Sequence, residues 1–197
     1  MKITVLIDPE TFVLGDSQFE EGSAETCREV EFQVTEALRH LGHQTTVIPF
    51  QPNISETVRM LLEQTPELVF NLTEHHRGDR RMDQHIASVL ELLRLPYTGA
   101  SPIGLMLCRD KGLTKQLLRH HRIHVPNFAM VPVGSTHSLQ DLAFPIIVKP
   151  GFEDGSEGIA NASIVHNEQE LANRVTMLHD RMKQTLICEE YIEGREI

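Results

Sequence analysis

Short apolar runs alternate with amphipathic segments through the first half of the chain. Three of the runs predict strands: ITVLI (3–7), which is rich in β-branched residues, TTVIPF (45–50) and ELVFNL (67–72). Apolar residues recur at helical spacing from Val30 to Leu41, and again after Ser55, which is a candidate N-cap. The order β-α-β-α-β predicts a parallel sheet with ligands beyond the carboxyl ends of its strands.

The second half has a different pattern. A helical segment from about Asp83 to Arg94 is followed by LPYTGASP, whose prolines and glycine predict a domain boundary near Gly99. Asp110 is placed to cap a further helix. Three strand-like runs, FPIIVKP, IANASIV and TLICEEYI, surround the amphipathic segment EQELANRVTMLHDRM. We therefore predict two domains, 1–100 with the parallel sheet and 101–197 with a small α+β fold.

Composition and charge narrow the functional classes. The 197 residues are 40% hydrophobic and 23% charged, which is typical of a globular chain. The formal net charge of −10 opposes binding to nucleic acid or to an anionic membrane. The cysteines Cys27, Cys108 and Cys188 are odd in number and far apart, which favours reduced thiols and a cytoplasmic location. No signal segment or membrane span is predicted.

The stretch VKPGFEDGSEGI, residues 148–159, carries the most suggestive chemistry. Lys149 ends an apolar run, and three glycines behind it allow backbone amides to turn towards a phosphate. Its carboxylates oppose that interpretation, because they would repel phosphate unless they point to solvent. The G-x-x-x-x-G-K-[ST] loop is absent. On these residues alone, a glycine-rich turn between two strands is the preferred interpretation.

Four stretches in order resemble the D-alanine-D-alanine ligase branch of the ATP-grasp superfamily. They are LELLRLPYTG (90–99), CRDKGLTKQLL (108–118), FPIIVKP with GFEDGSEGI (144–159), and LICEEYIEGREI (186–197). The resemblance covers essentially the whole chain. It implies a Rossmann-like, pre-ATP-grasp parallel sheet followed by the small α+β N-terminal subdomain of an ATP-grasp fold, and it shifts the glycine-rich stretch towards a phosphate loop.

The resemblance implies phosphate contacts at two lysines and in one loop. Lys111, in the D-K pair, and Lys149, at the strand end, match the lysines that contact ATP phosphates in the family. Gly155, Ser156 and Gly158 match the loop that closes over them. Lys111 lies in the first turn of a helix, where the helix dipole disfavours a cation unless an anion is near.

The adenosine contacts are implied for the segment that follows the last strand. Glu189 matches the acceptor for the exocyclic amine of adenine, and the backbones of Glu190 and Ile192 match the groups that pair with its edge. Tyr191 would lie alongside. Glu196 matches the carboxylate that binds the ribose hydroxyls.

The substrate side resembles the family less closely. Glu25 matches a first-loop glutamate that holds a substrate ammonium, and Glu74 stands at about the position of a family histidine. The segment NLTEHHRGDRRMDQH, residues 71–85, departs from the ligase pattern, so the acceptor amino acid need not be D-alanine. The bare His-His pair in it lacks the spacing of a zinc site.

The function implied by the resemblance is ATP-dependent formation of a peptide or amide bond through an acylphosphate, using ATP, Mg²⁺ and an amino-acid or peptide substrate. The Mg²⁺ ligands lie in a C-terminal half that this chain lacks. We therefore expect a fragment that is inactive alone, with no metal site of its own. A homodimer is among the implied partners. The alternatives are a non-catalytic ATP-binding α/β module and a purely structural pair of domains.

Overall fold

A computed structural model describes residues 1–9, 29–135, 139, 142–153 and 155–195. The contacts divide the chain into two compact units, Met1–Leu105 and Met106–Ile197. Within the described residues, no helix is both long and apolar enough to span a bilayer.

The first unit is built on a parallel sheet. Its strands are β1 (Lys2–Ile7), β2 (Gln44–Pro49) and β3 (Leu68–Asn71), hydrogen-bonded in the order β2-β1-β3. Its helices are α1 (Glu29–His40), α2 (Ile54–Gln64) and α3 (Asp83–Leu92). The predicted β-α-β-α-β order and parallel pairing are thus confirmed.

Strand β1 is central and buried on both faces, which explains why its sequence is apolar without alternation. Ile3, Val5 and Ile7 pack with Leu38 of α1. Leu6 belongs to the cluster on the other face, with residues of β2, β3, α2 and α3. Because β1 and β3 pair in parallel, their carboxyl ends lie side by side at the same end of the sheet.

The cap of α2 differs from the prediction. Asn53, not Ser55, is the N-cap, and its side chain accepts a hydrogen bond from the Ser55 N–H. Ser55 lies within the first turn, where its hydroxyl donates to the same Asn53 oxygen at 2.8 Å. Two cap-forming residues stand two positions apart, and the one with extended backbone takes the role.

The second unit is an antiparallel sheet with helices. Its strands are β4 (Phe128–Val131), β5 (Ile146–Pro150), β6 (Ile164–Val165) and β7 (Leu186–Glu190), in the order β4-β7-β5-β6. Its helices are α5 (Lys111–His120) and α6 (Glu168–Met182); α4 (Pro102–Arg109) contains the division between the units and was not predicted. The strand predicted from IANASIV is reduced to β6, because Asn161–Ser163 form a 3₁₀ turn.

The two faces of this second sheet differ in chemistry. Val148 and Cys188 are cross-strand neighbours in the buried apolar cluster that includes Leu171 and Leu178 of α6. Because side chains alternate along a strand, Lys149 and Glu189 project from the opposite face. The mixed α/β fold and the α+β character of this unit agree with the prediction.

Candidate functional site

Three charged side chains meet on the face of the second sheet that lies away from α6. Lys149 of β5 and Glu189 of β7 are diagonal neighbours, since Lys149 pairs with Ile187 and Glu189 with Ile147. The Lys149 Nζ lies 2.5 Å from Glu189 Oε1. Lys115 of α5 brings its Nζ to 2.7 Å from the other oxygen, Oε2. The Glu189 carboxylate therefore bridges two ammonium groups.

The bridge is largely withdrawn from water. The side chain of Glu189 is 6% exposed, and those of Lys115 and Lys149 are 17% and 24% exposed. The Lys115 contact is a close ion pair although its angles fall outside those of a hydrogen bond, and charge attraction does not depend on those angles. Burial alone would raise the pKa of the Glu189 carboxyl, but the close contacts and positive charges of the Lys115 and Lys149 ammonium groups produce a net lowering of that pKa.

Helix α5 owes its position to its first turn. The Asp110 side chain accepts from the Leu113 N–H, which confirms the predicted N-cap, and the Lys111 N–H donates to Gly151 O at 3.2 Å. At Gly112 a Cβ would lie 2.7 Å from Met130 Sδ of β4, so a larger residue there would require the Met130 side chain to move. Lys115 is thereby held over the sheet face.

Lys111 lies at the base of the glycine-rich loop. Its Nζ donates to the backbone oxygen of Glu153, so it borders the loop that follows Lys149. The Glu153 side chain accepts from Gln184 Nε2 at 2.6 Å, and the Gln184 oxygen accepts from the Phe152 N–H at 3.2 Å. The start of the loop is thus fixed to both α5 and the segment before β7.

The middle of the loop is exposed and its far end is fixed. Gly155 and Ser156 have φ of 55° and 62°, and a Cβ on Gly155 would meet nothing within 4 Å. Gly155, Ser156 and Glu157 are exposed. Gly158, by contrast, has no room for a side chain, and Arg174 of α6 donates to its backbone oxygen at 2.8 Å. The exposed carboxylate of Glu157 is compatible with an anion in the loop, because water screens its charge.

The segment after β7 is tied to neighbouring loops by backbone groups. The Glu190 N–H donates to Asn127 O at 3.0 Å, and the Tyr191 N–H donates to Pro145 O at 2.9 Å. A backbone hydrogen bond from Ala143 and a side-chain one from Asn127 lower the pKa of the Glu190 carboxyl. Ile192 is 65% exposed, an apolar side chain beside the predicted adenine position.

The substrate positions are described only in part. Glu74 follows β3, and its side chain is 65% exposed, with an oxygen 3.4 Å from Arg80 Nη2. The Glu74 N–H donates to Oδ2 of Asp8, a buried residue directly after β1. The same Asp8 oxygen lies 3.7 Å from His75 Nε2. Glu25, and in the other unit Glu196, lie outside the described residues.

Two charged residues were not predicted from the sequence: Lys115 on the face with Lys149 and Glu189, and Arg174 of α6 at the far end of the loop. Lys115 follows Lys111 by four residues, and that helical spacing was the available signal that both lysines share a face. Arg174 gave no signal, because its partners at Gly158 and Ser163 are set by tertiary packing. The described ranges hold no group of three or more His, Cys, Asp or Glu side chains arranged to bind a metal ion.

Comparison with known proteins gives several matches at the level of sequence. No protein-family model matches the chain. It is 37% identical over 169 residues to an uncharacterized protein, y4sG, of Sinorhizobium fredii, covering 83% of this chain and 49% of that protein. It is 32% identical over 162 residues to a D-alanine–D-alanine ligase of Gluconobacter oxydans, covering 82% of this chain and 51% of the ligase. The chain spans about half the length of the curated relatives it matches.

Solved structures show the same fold. A D-alanine–D-alanine ligase from Bacillus anthracis matches with a TM-score of 0.73 and 21% identity, over 98% of this chain and 58% of that one. A structure of that ligase complexed with ATP matches with a TM-score of 0.69 and 20% identity. Together with the sequence relatives, these matches confirm the resemblance to D-alanine-D-alanine ligases that the four motifs predicted.

Proposed function

We propose that this chain, which resembles D-alanine-D-alanine ligases over most of its length, supplies the nucleotide-binding part of an ATP-dependent carboxylate-amine ligase. One observation carries the proposal. Lys111, Lys149 and the glycine-rich loop, three of the features that the motifs singled out, adjoin one another in the second unit, with Glu189 bonded to Lys149. Two ammonium groups beside an exposed glycine-rich loop form a site suited to a polyphosphate.

The proposed reaction has two steps. A substrate carboxylate oxygen attacks the γ-phosphorus of ATP, and the bond from that phosphorus to the β-phosphate oxygen breaks. The products of this step are an acylphosphate and ADP. An amine then attacks the acyl carbon, loses a proton and expels inorganic phosphate, which gives a peptide or amide bond. Lys111, Lys149 and the loop amides would neutralise charge on the transferring phosphoryl group. The protein contributes mainly positioning and electrostatic stabilisation.

The base would be bound next to the phosphates. Glu189 is proposed to accept a hydrogen bond from the exocyclic amine of adenine. The backbones of Glu190 and Ile192 are proposed to pair with the edge of the base. The side chains of Tyr191 and of exposed Ile192 would flank the ring. The Glu190 N–H already donates to Asn127 O, so another backbone atom of this segment would make that contact. Glu196 remains the proposed ribose ligand.

Substrate residues and Mg²⁺ are proposed less fully. Glu74, which follows β3, is proposed to border an amino-acid or peptide substrate, and Glu25 is proposed as a second substrate contact on the resemblance alone. The resemblance implies Mg²⁺ as cofactor, but the described residues include no cluster of acidic side chains to hold it. No ligand for Mg²⁺ is therefore proposed, and we expect the 197-residue polypeptide taken alone to bind ATP weakly without turnover. A cytoplasmic location and a homodimer stay predictions.

Nucleotide titration of the isolated chain tests the binding step. We would follow amide signals of the ¹⁵N-labelled chain by NMR as ATP is added, for wild type, Lys149→Ala and the control Lys183→Ala. Lys183 is 72% exposed and lies at the end of α6. Saturable shifts around the loop that Lys149→Ala abolishes and Lys183→Ala preserves would support the proposal. Equal responses in all three, or none, would favour a glycine-rich turn without nucleotide.

The ligase step needs a polypeptide that extends this chain to the length of its relatives. Release of ADP would be measured with a panel of amino acids and dipeptides. Release that depends on a carboxylate and an amine substrate supports the ligase, and the substrates that work identify the acceptor. Saturable ATP binding without substrate-dependent ADP release would instead favour the non-catalytic binding module. Substrate-dependent ADP release by residues 1–197 alone would contradict the expected inactivity.

A further inference from the structure

Lys115 has no role in the proposed chemistry, yet its ammonium contacts the same carboxylate as that of Lys149. It stands one helical turn after Lys111 on α5, and its ammonium lies 2.7 Å from Glu189 Oε2. Its side chain is only 17% exposed. A lysine held in this way is costly, because its flexible side chain loses rotamer entropy and its ammonium loses most of its contact with water.

The effect of Lys115 falls on the orientation and charge of one carboxylate. Lys149 holds Oε1 and Lys115 holds Oε2, so the carboxyl plane is fixed from both sides. An ionised carboxylate accepts hydrogen bonds and cannot donate one, while its two oxygens retain acceptor capacity beyond these two contacts. With both lysines in place the three groups carry a net charge of +1, which also suits an anionic ligand.

We propose that Lys115 is a positioning residue that selects adenine over guanine by holding Glu189 as a fixed, acceptor-only carboxylate. This inference rests on the proposed nucleotide site. Adenine presents an amine donor at the position where guanine presents a carbonyl acceptor. A carboxylate fixed beside that position pairs with the adenine amine and repels the guanine oxygen. Without Lys115, Oε2 loses its partner and the carboxylate can turn towards Lys149.

The obvious rival is that Lys115 only stabilises the sheet. A purely structural ion pair would change the amount of folded protein but not the relative affinity for two bases. The ratio of the GTP to the ATP dissociation constant therefore separates the two roles. Inorganic tripolyphosphate serves as a further probe, because it reports the phosphate contacts and carries no base.

The experiment compares five forms of the 197-residue chain: wild type, Lys115→Met, Lys115→Arg, the double variant Lys115→Met/Glu189→Gln and the control Lys183→Met. Dissociation constants for ATP, GTP and tripolyphosphate are measured by NMR titration after circular dichroism has established that each variant is folded. Methionine keeps much of the length of the lysine stem without its charge. Lys183→Met removes the same charge at an exposed site.

We expect wild type and Lys183→Met to bind ATP at least tenfold more tightly than GTP. In Lys115→Met the ratio of the GTP to the ATP dissociation constant should fall by about tenfold, the equivalent of one well-placed hydrogen bond. Lys115→Arg should retain the preference, because it keeps the charge and the donors. Tripolyphosphate affinity should change less than ATP affinity.

A folded Lys115→Met with the wild-type ratio would overturn the inference. If Lys115→Met does not fold, the double variant decides, because it removes both charges. The neutral amide of Gln can serve either base, so we expect a ratio of the GTP to the ATP dissociation constant near one. A wild-type ratio in the double variant would overturn the inference. Failure of the proposed function has a different signature, since wild type would then bind neither nucleotide. Wild-type ATP binding without a preference over GTP would leave the proposed function standing and overturn only this inference.

Discussion

Replacing Glu189 by glutamine should destabilise the second sheet more than a surface mutation would. The variant removes one charge from a bridge whose contacts are 2.5 and 2.7 Å long. At an effective dielectric constant of about 20, each contact corresponds to an attraction of about 6 to 7 kcal/mol before desolvation is subtracted. Desolvation offsets most of that, and measured losses for breaking a buried pair are about 3 to 5 kcal/mol.

We expect the lower end, a loss of about 3 kcal/mol, because both lysines keep partial contact with water. The effect should also depend on pH. The folded-state pKa of Glu189 is lowered, so its contribution is complete above the unfolded-state value of about 4.3 and is lost as pH falls through the folded-state value. The difference between wild type and Glu189→Gln should therefore shrink in acid.

The assay is urea unfolding followed by circular dichroism at pH 7 and at pH 3. Hydrogen exchange at the amides of β5 and β7 identifies the transition that belongs to this sheet, because the two units need not unfold together. Glu63→Gln is the control: its exposed ion pair with Arg59 is 3.0 Å long, and its loss should change the unfolding free energy by less than about 0.5 kcal/mol. A loss of under about 0.5 kcal/mol for Glu189→Gln at pH 7 would refute the reasoning, as would an equal loss at both pH values.

Three further predictions concern the same unit. Gly158→Ala should lower the unfolding free energy by about 2 kcal/mol or more, because its Cβ would lie under 3 Å from a proline and a methionine side chain. Gly155→Ala, whose Cβ would meet nothing within 4 Å, should lower it by about 1 kcal/mol. Urea unfolding compares the two variants, and equal losses would contradict the packing argument. Burial raises the pKa of the Cys188 thiol to about 12, so iodoacetamide at pH 8 should alkylate exposed Cys108 and spare Cys188 in the native chain. Peptide mass spectrometry measures the labelling of each cysteine, and comparable labelling of both would contradict the prediction. Arg174→Met should speed hydrogen exchange at the amides around Gly158, because the guanidinium bond to its carbonyl is lost; unchanged exchange would show that this bond does not fix the loop.

The sequence was sufficient for features that depend on local pattern. The apolar run of β1, the helical spacing in α6 and the cap at Asp110 all lie where their local chemistry predicts. Helix α4 was missed because PIGLMLCR is short and follows a turn-rich stretch, so turn residues outweighed its weak periodicity. The choice of Asn53 over Ser55 depended on backbone angles that composition does not encode.

Features that depend on distant contacts were less accessible. Strand β7 pairs with β4 and with β5, and each of these is separated from β7 along the chain by other elements, so no tight turn fixes these pairings. The motifs identified Lys149 and Glu189 separately, but their direct pairing follows from the diagonal register of β5 and β7. Lys115 joins them because α5 lies against this face of the sheet, with Gly112 next to the Met130 side chain of β4. Such three-way contacts are properties of the folded chain.

The anchored ends and exposed middle of the glycine-rich loop have a practical consequence for labelling. Ser156 is exposed, and it lies between two segments whose backbone is fixed, by Lys111 at Glu153 and by Arg174 at Gly158. An environment-sensitive dye attached there through an introduced cysteine would have a defined origin and few packing contacts to disturb. This position is therefore a natural place for an optical sensor on the chain.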